Sequence, residues 1–199
     1  MDYLLPNVEK LRPFDDKMLY LIGRYDKSIM EDFLKVILND STLEFKNSTA
    51  NIFSLYSPPD DKVITEFTTD TNDGTVIGFI TFKQNEIDVT KKVRWYQGIK
   101  DSHYLINDYD YTLLPNLIIV VLMERDIFNS SEPMYEVIKK IKDTDIVYDD
   151  DVRIILVNGE YKGNDPLGNY IHDFMCDDVD SMRIDSIKEA VKFFEAYGE

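Results

Sequence analysis

The residue types that most often act as nucleophiles or metal ligands are few and isolated in this sequence. Cys176 is the only cysteine, and its acidic neighbours Asp177 and Asp178 disfavour the thiolate that a nucleophile needs. His103 and His172 have no second histidine or cysteine at metal-ligand spacing, so we expect ordinary buried or exposed side chains. A single cysteine also excludes a disulfide within the chain, which is typical of a protein from a reducing cytosol.

The second group of candidates is a pair of aromatic residues beside three basic ones. Trp95 and Tyr96 follow Lys91, Lys92 and Arg94 in a segment with helical periodicity, and such rings can stack on nucleic-acid bases. The chain has few further basic residues nearby, so packing of the helix against a core is the favoured interpretation.

The charge balance argues against a nucleic-acid surface. The chain has 22 basic and 38 acidic residues, a formal net charge of −16, whereas binding to phosphates requires lysine and arginine. Residues 143–180 contain 11 acidic residues against two basic ones, a net of −9. Such a stretch is usually a solvated face, and the alternative is a docking surface for a basic partner. The acidic positions proposed for that surface are Asp149, Asp150, Asp151, Asp177, Asp178 and Asp180.

The apolar pattern predicts the elements that position these residues. Residues 15–38 have two apolar helical stripes, and residues 89–107, 165–175 and 184–198 are further predicted helices. Asn72–Gly74 is a strong turn signal between two apolar alternating stretches, so residues 62–83 are predicted to form an antiparallel hairpin.

Further strands complete the predicted sheet. They are expected at 51–57, in the apolar run 117–123 and at 149–159, with 134–140 ambiguous between strand and helix. The longest apolar run is too short to span a bilayer, and the first residues lack the pattern of a signal peptide. We therefore expect one cytoplasmic α/β domain over residues 1–199, without membrane contact, whose C-terminal part is acidic from about residue 143.

The helix at 91–101, "KKVRWYQGIKD", resembles a motif of the Rpn-like recombination-promoting nucleases, the transposase-associated branch of the PD-(D/E)XK nuclease superfamily. Five positions match that motif: Arg94, Trp95, Tyr96, Gln97 and Asp101. The stretch 110–128 and the later "MYEVI" and "IILVNG" resemble the strands that follow in this family, and the opening helices are also similar. The resemblance covers nearly the whole chain and implies a PD-(D/E)XK nuclease-like fold, with a mixed central sheet flanked by helices.

The resemblance also implies where the catalytic residues would lie. In the family, an Asp on the first strand of the hairpin and a Glu-x-Gln on the second hold Mg²⁺, which polarises the scissile phosphate and generates the attacking hydroxide. An alignment without gaps places Glu66, Ile80 and Phe82 at those positions. Ile80 has no oxygen for a metal and Phe82 has no donor, so we expect a degenerate site with no catalytic residues.

The sequence offers two ways in which the site could have been rebuilt from other residues. Glu66, together with Asp16 from the first helix, could retain residual metal binding. Lys83 could replace the missing Gln only through a bulge, because strand alternation places it on the face opposite Ile80 and Phe82.

Two functions of different classes remain open. The first is a pseudoenzyme without a cofactor that binds a protein partner, such as an acidic inhibitor of a nucleic-acid-handling system of the anti-defence or anti-CRISPR type. The second is a Mg²⁺-dependent DNA endonuclease with a rearranged site, although the net charge of −16 disfavours direct DNA binding. A basic groove at Glu66 would favour the nuclease, and a dry apolar pocket there would argue against it.

Overall fold

A six-stranded mixed β-sheet forms the centre of the protein in the computed structural model, which describes residues 10–55, 62–84, 86, 88–105 and 110–197. The strands are β1 (Phe45–Leu55), β2 (Lys62–Thr71), β3 (Val76–Phe82), β4 (Leu117–Met123), β5 (Met134–Glu136) and β6 (Val152–Asn158). The helices are α1 (Asp16–Tyr25), α2 (Lys27–Leu38), α3 (Val89–Tyr104), α4 (Pro166–Met175) and α5 (Asp185–Tyr197). The predicted mixed α/β class is therefore confirmed.

The strand order is β1-β2-β3-β4-β6-β5. Strands β3, β4 and β6 are parallel, whereas β1, β2 and β5 each run antiparallel to their neighbours. Helix α3 connects β3 to the parallel strand β4, as a crossover of this length commonly does. The apolar sequence of β4 suits its place inside the sheet, because parallel strands are covered on both faces.

The predicted hairpin is confirmed. Strands β2 and β3 pair antiparallel, and the turn between them contains Gly74 at φ 88°, a conformation that glycine adopts without steric cost. All seven residues of β3 are buried.

Alternation along the strands divides the interior into two cores, one on each face of the sheet. On the first face, Ile77 and Phe79 of β3 pack with residues of α1, α2, α4 and α5. On the second face, Ile80 and Phe82 pack with Val93 and Tyr96 of α3. The side chains of neighbouring β3 residues therefore belong to different cores.

The start of the first strand differs from the sequence prediction. Strand β1 begins at Phe45 instead of residue 51, and a register shift between Lys46 and Thr49 interrupts its pairing with β2. Asn47, within this bulge, has φ 55°. Polar residues and a bulge hide the alternation by which strands are recognised. The predicted ends of the first strand at 57 and of the third helix at 107 lie outside the described residues.

No helix among the described residues has the length and apolar character needed to cross a membrane.

Candidate functional site

The hairpin opens at the position that the family resemblance assigns to the catalytic residues. Pairing between β2 and β3 ends at Glu66 and Ile80, which lie directly opposite each other. Beyond this point Thr65 and Ile64 pair only with β1, while Thr81 and Phe82 pair only with β4. The two strands therefore form a fork, with Glu66 at its base.

The carboxylate of Glu66 is buried and its two oxygens are both bound by protein groups. Its side chain points toward α3, and the residue is 1% exposed. Lys100 Nζ lies 2.6 Å from Oε2, and the Tyr96 hydroxyl donates to the same oxygen at 2.5 Å. Asn51 Nδ2 donates to Oε1 at 3.1 Å. An ammonium ion and two hydrogen-bond donors thus occupy the side of the carboxylate that a metal would need.

Two residues of α3 supply this environment because they lie one turn apart on its buried face. Lys100 is 8% exposed, and its Nζ also lies 5.3 Å from the centre of the Tyr96 ring. Burial and the negative charge of Glu66 raise the pKa of Tyr96 well above its usual value, so the phenol stays protonated and donates.

Gly78 on β3 allows the Tyr96 side chain to approach the strand closely. A Cβ atom at Gly78 would stand 2.1 Å from the Tyr96 hydroxyl and 2.8 Å from ring carbons. The close approach of α3 to the fork therefore depends on a strand position without a side chain.

The other two aligned positions are core residues. Ile80 is fully buried and Phe82 is 4% exposed, and both contact the apolar face of α3. They offer no ligand atom, so Glu66, Ile80 and Phe82 do not fit a Mg²⁺ ion, which requires oxygen ligands in near-octahedral geometry.

The structure places Asp16 and Lys83 on the other face of the sheet, as alternation predicts for Lys83. Asp16 Oδ1 accepts a hydrogen bond from the Thr65 backbone N–H at 3.0 Å, and its other oxygen pairs with Lys83 Nζ. Glu66 and Asp16 are thus separated into two ion pairs, one on each face. Within the described part of the chain, no three His, Cys, Asp or Glu side chains cluster in a way that could hold a metal ion.

Lys92 of α3 contacts the end of β3, where this strand continues beyond its pairing with β2. Its ammonium donates to the Thr81 carbonyl at 2.7 Å and to Glu86 Oε1 at 2.6 Å. Glu86 Oε2 in turn accepts from the Lys83 backbone N–H at 2.5 Å. The Thr81 carbonyl lies beyond the last residue pair of β2 and β3, and it therefore accepts a hydrogen bond from a side chain instead of from β2.

Some residues that match the family's helix motif pack in the interior, and others are exposed on the surface. Tyr96 is buried and unavailable for base stacking, and Trp95 packs half-buried against the second core. Arg94 is exposed. Burial raises the pKa of Asp101, which accepts a hydrogen bond from Gln97.

A cleft of about 540 Å³ lies beyond the carboxyl ends of β3 and β4. Its lining includes Phe82, Lys83, Glu86, Arg125 and Glu160, but not Glu66. The cleft is mixed in charge and lies apart from Glu66, whose own carboxylate is held by Lys100, Tyr96 and Asn51. The surroundings of Glu66 therefore match neither the basic groove nor the dry apolar pocket considered from the sequence.

The proposed acidic surface consists of two separate segments. Asp149, Asp150 and Asp151 lie at the turn into β6, where Asp150 pairs with Lys139 at 2.6 Å. The second segment, 177–180, lies between α4 and α5, and its Asp180 pairs with Lys192. All of these carboxylates are at least partly exposed.

One carboxylate of the acidic stretch 143–180 is not on the surface. Asp173 is fully buried and accepts hydrogen bonds from the backbone N–H groups of Arg183 and Ile184. It holds the start of α5 against the end of α4, which is a structural role.

Comparison of the chain with family models, with curated proteins and with solved structures finds no match. The fold and the fork define an α/β protein with a buried carboxylate–ammonium pair between the hairpin and α3. The family resemblance singled out Glu66 and Ile80 as ligand positions, but the sequence analysis did not identify Lys100 as the partner of Glu66. The available signal was a lysine on the same helix face as Val93 and Tyr96, where an unpaired charge is not expected.

Proposed function

We propose that this protein is a catalytically inactive member of the recombination-promoting nuclease family, built on the PD-(D/E)XK fold, that acts by binding another protein. One observation carries the proposal: the carboxylate at the family's first metal-ligand position is buried and bound by Lys100, Tyr96 and Asn51. The neutralising charge that Mg²⁺ would supply is already supplied by an ammonium ion.

The opposing strand supports the same conclusion. Ile80, directly across from Glu66, contributes a hydrocarbon side chain to the second core instead of a second carboxylate. A single carboxylate that is already paired is a poor site for Mg²⁺, which is held by carboxylates together with substrate phosphates and water.

The alternative is a Mg²⁺-dependent DNA endonuclease with a rearranged site. Its best support is Asp16, which lies beside Lys83 at the opposite side of the fork. The Asp16 carboxylate is already shared between Lys83 and the Thr65 backbone N–H, and a metal would have to displace both.

A plasmid-cleavage assay separates these functions. We expect purified wild-type protein to leave supercoiled DNA intact in Mg²⁺ or Mn²⁺, at the level of a mock purification. Cleavage that is lost in Glu66→Ala would support a site at the family position and contradict the proposal. Cleavage that is lost only in Asp16→Ala would instead support the rearranged nuclease.

For the partner, the proposal is a nucleic-acid-handling protein whose basic surface accepts this acidic domain. The support is a net charge of −16 together with exposed carboxylates on two segments of the surface. Affinity purification from the native host should recover such a protein with the wild-type chain. Asp177→Asn/Asp180→Asn and Asp149→Asn/Asp151→Asn test which segment makes the contact. Recovery that neither variant reduces would argue against an electrostatic docking surface.

A further inference from the structure

Residues 137–148, here called the arm, leave the sheet edge between β5 and β6 and return as a short antiparallel pair. Lys140 and Val147 form an isolated bridge. The Ile141 N–H donates to the Ile146 carbonyl at 3.0 Å, and the Tyr148 N–H donates to the Lys139 carbonyl at 2.9 Å. The arm is therefore a defined hairpin rather than an irregular loop.

The arm carries an unusual concentration of exposed apolar side chains. Among the described residues, twelve large hydrophobic side chains are exposed, and six of them belong to this one segment. They are Val137 (42%), Ile138 (65%), Ile141 (47%), Ile146 (59%), Val147 (55%) and Tyr148 (56%). The pairing of Lys140 with Val147 places Ile141, Ile146 and Tyr148 together on one face of the arm, and Ile138 and Val147 on the other. Scattered exposed hydrophobic residues are normal, but several on one face mark a surface that another molecule covers.

The charge of the arm differs from that of the rest of the chain. It has three lysines and two aspartates, a net of +1, on a chain whose net charge is −16. Lys140 and Lys142 are exposed and have no ion-pair partner within the described part of the protein. Asp143 and Asp145 are exposed at the tip, and the carboxylates of 149–151 follow directly.

We propose that the arm is the contact surface of a symmetric homodimer. In a two-fold arrangement each arm meets the same surface of the second copy, so a patch must be complementary to itself. An apolar face with Lys142, Asp143 and Asp145 at the tip of the arm meets that condition, because the lysine of one copy can face the aspartates of the other. The inference is independent of whether the protein cuts DNA.

The position of the arm at a sheet edge also favours contact with a second copy of this chain. β5 is the last strand of the sheet, so it has no further strand partner beyond β6 among the described elements. An edge next to exposed apolar residues is a template for pairing with another chain. A standard interface takes about 800 Å² from each partner, and a twelve-residue hairpin is a small contact by that measure. We therefore expect a concentration-dependent dimer in the micromolar range.

Sedimentation equilibrium of the intact protein tests the proposal. We expect wild type to shift from monomer to dimer with rising concentration. Ile141→Asp/Ile146→Asp should weaken dimerisation at least tenfold, since these two side chains lie opposite each other on one face of the arm and both charges would enter the contact. The matched control is Leu113→Asp, which changes an exposed side chain of similar accessibility (54%) far from the arm in sequence and should leave dimerisation unchanged.

Two further measurements guard against an indirect effect. The melting temperature of each variant by circular dichroism should match that of wild type, because the substituted side chains are exposed. Amide hydrogen exchange of 137–148 should slow as wild-type concentration rises, and should not do so in the double variant.

The proposal is overturned if wild type stays monomeric at several hundred micromolar, or if the double variant dimerises as tightly as wild type. Dimerisation that Leu113→Asp weakens equally would also overturn it, since the contact would then lie elsewhere.

Discussion

Glu66 and Lys100 form an ion pair that is buried, with the two residues 1% and 8% exposed. Removing two charges from water is costly, and their attraction repays that cost only with close geometry and additional hydrogen bonds. Here the geometry is close, at 2.6 Å, and Tyr96 and Asn51 provide the hydrogen bonds. Such a pair contributes little net stability as a unit, but each member depends strongly on the other.

Replacing Lys100 by Met should therefore destabilise the protein by about 3–5 kcal/mol, because Glu66 is left as an uncompensated buried charge. Urea denaturation at neutral pH measures the free energy of unfolding. The double variant Glu66→Leu/Lys100→Met should recover most of the loss, since it removes both charges. Lys91→Met, a change at an exposed lysine of the same helix, is the control and should cost less than about 1 kcal/mol. An equal effect of Lys91→Met and Lys100→Met would contradict the ion-pair interpretation.

At the scale of elements, the fork between β2 and β3 is the feature that brings polar side chains together on the hairpin. Parting strands leave backbone groups without ladder partners, and those groups recruit polar side chains. Asp16 accepts from Thr65 on one face, and Lys92 donates to Thr81 where β3 runs on without β2. Groups of this chain thus satisfy the Thr65 N–H and the Thr81 carbonyl where the two strands part.

The double substitution Ile80→Glu/Phe82→Gln introduces the residue pattern that the family resemblance implies, and we expect it to cost at least about 3 kcal/mol. Both positions are buried in the second core, where an unsatisfied polar group costs about 1–3 kcal/mol and a charge costs more. A thermal melt with and without Mg²⁺ measures the outcome, and we expect no stabilisation by the metal.

Ile80→Met/Phe82→Leu is the matched control, because it alters side-chain shape without adding polarity and should cost less. A double variant that is as stable as wild type and gains melting temperature in Mg²⁺ would show that the fork can still admit a metal.

The secondary structure was predictable where one signal dominated. The Asn72–Gly74 turn predicted the hairpin, and apolar stripes predicted α1 and α2 separately. The extra length of β1 was not predictable, because a bulge at Asn47 breaks its alternation. At the site, the alignment that the resemblance implies singled out Glu66 and Ile80, and the structure pairs these two residues across the hairpin. The Glu66–Lys100 pair joins residues far apart in the chain, and nothing in a single sequence specifies which buried lysine meets which carboxylate.

At the scale of the whole molecule, the dominant property is its excess of negative charge. A net charge of −16 produces self-repulsion in the compact state, which salt screens over about 8–10 Å near physiological ionic strength. The ion pairs inside the protein are screened much less, because they are out of contact with the solvent.

We therefore expect the melting temperature to rise by a few degrees when NaCl is increased from about 0.05 to 0.5 M. Scanning calorimetry over this range measures the effect. Asp177→Asn/Glu189→Gln removes two exposed negative charges and should reduce the gain. A melting temperature that falls with added salt would indicate that surface ion pairs outweigh the repulsion.

The ion pair at the fork also gives the evolution of this sequence a direction. Acquiring the metal site that the family resemblance implies would require the loss of Lys100, an oxygen ligand at residue 80 and a polar group at residue 82. Loss of Lys100 alone leaves a buried charge without its partner, and a polar group at residue 80 or 82 enters an apolar core, so each single step is expected to cost stability. Substitutions at exposed positions meet no such barrier. Descendants of this protein are therefore expected to change what their exposed surface binds sooner than to acquire a metal site at the fork one mutation at a time.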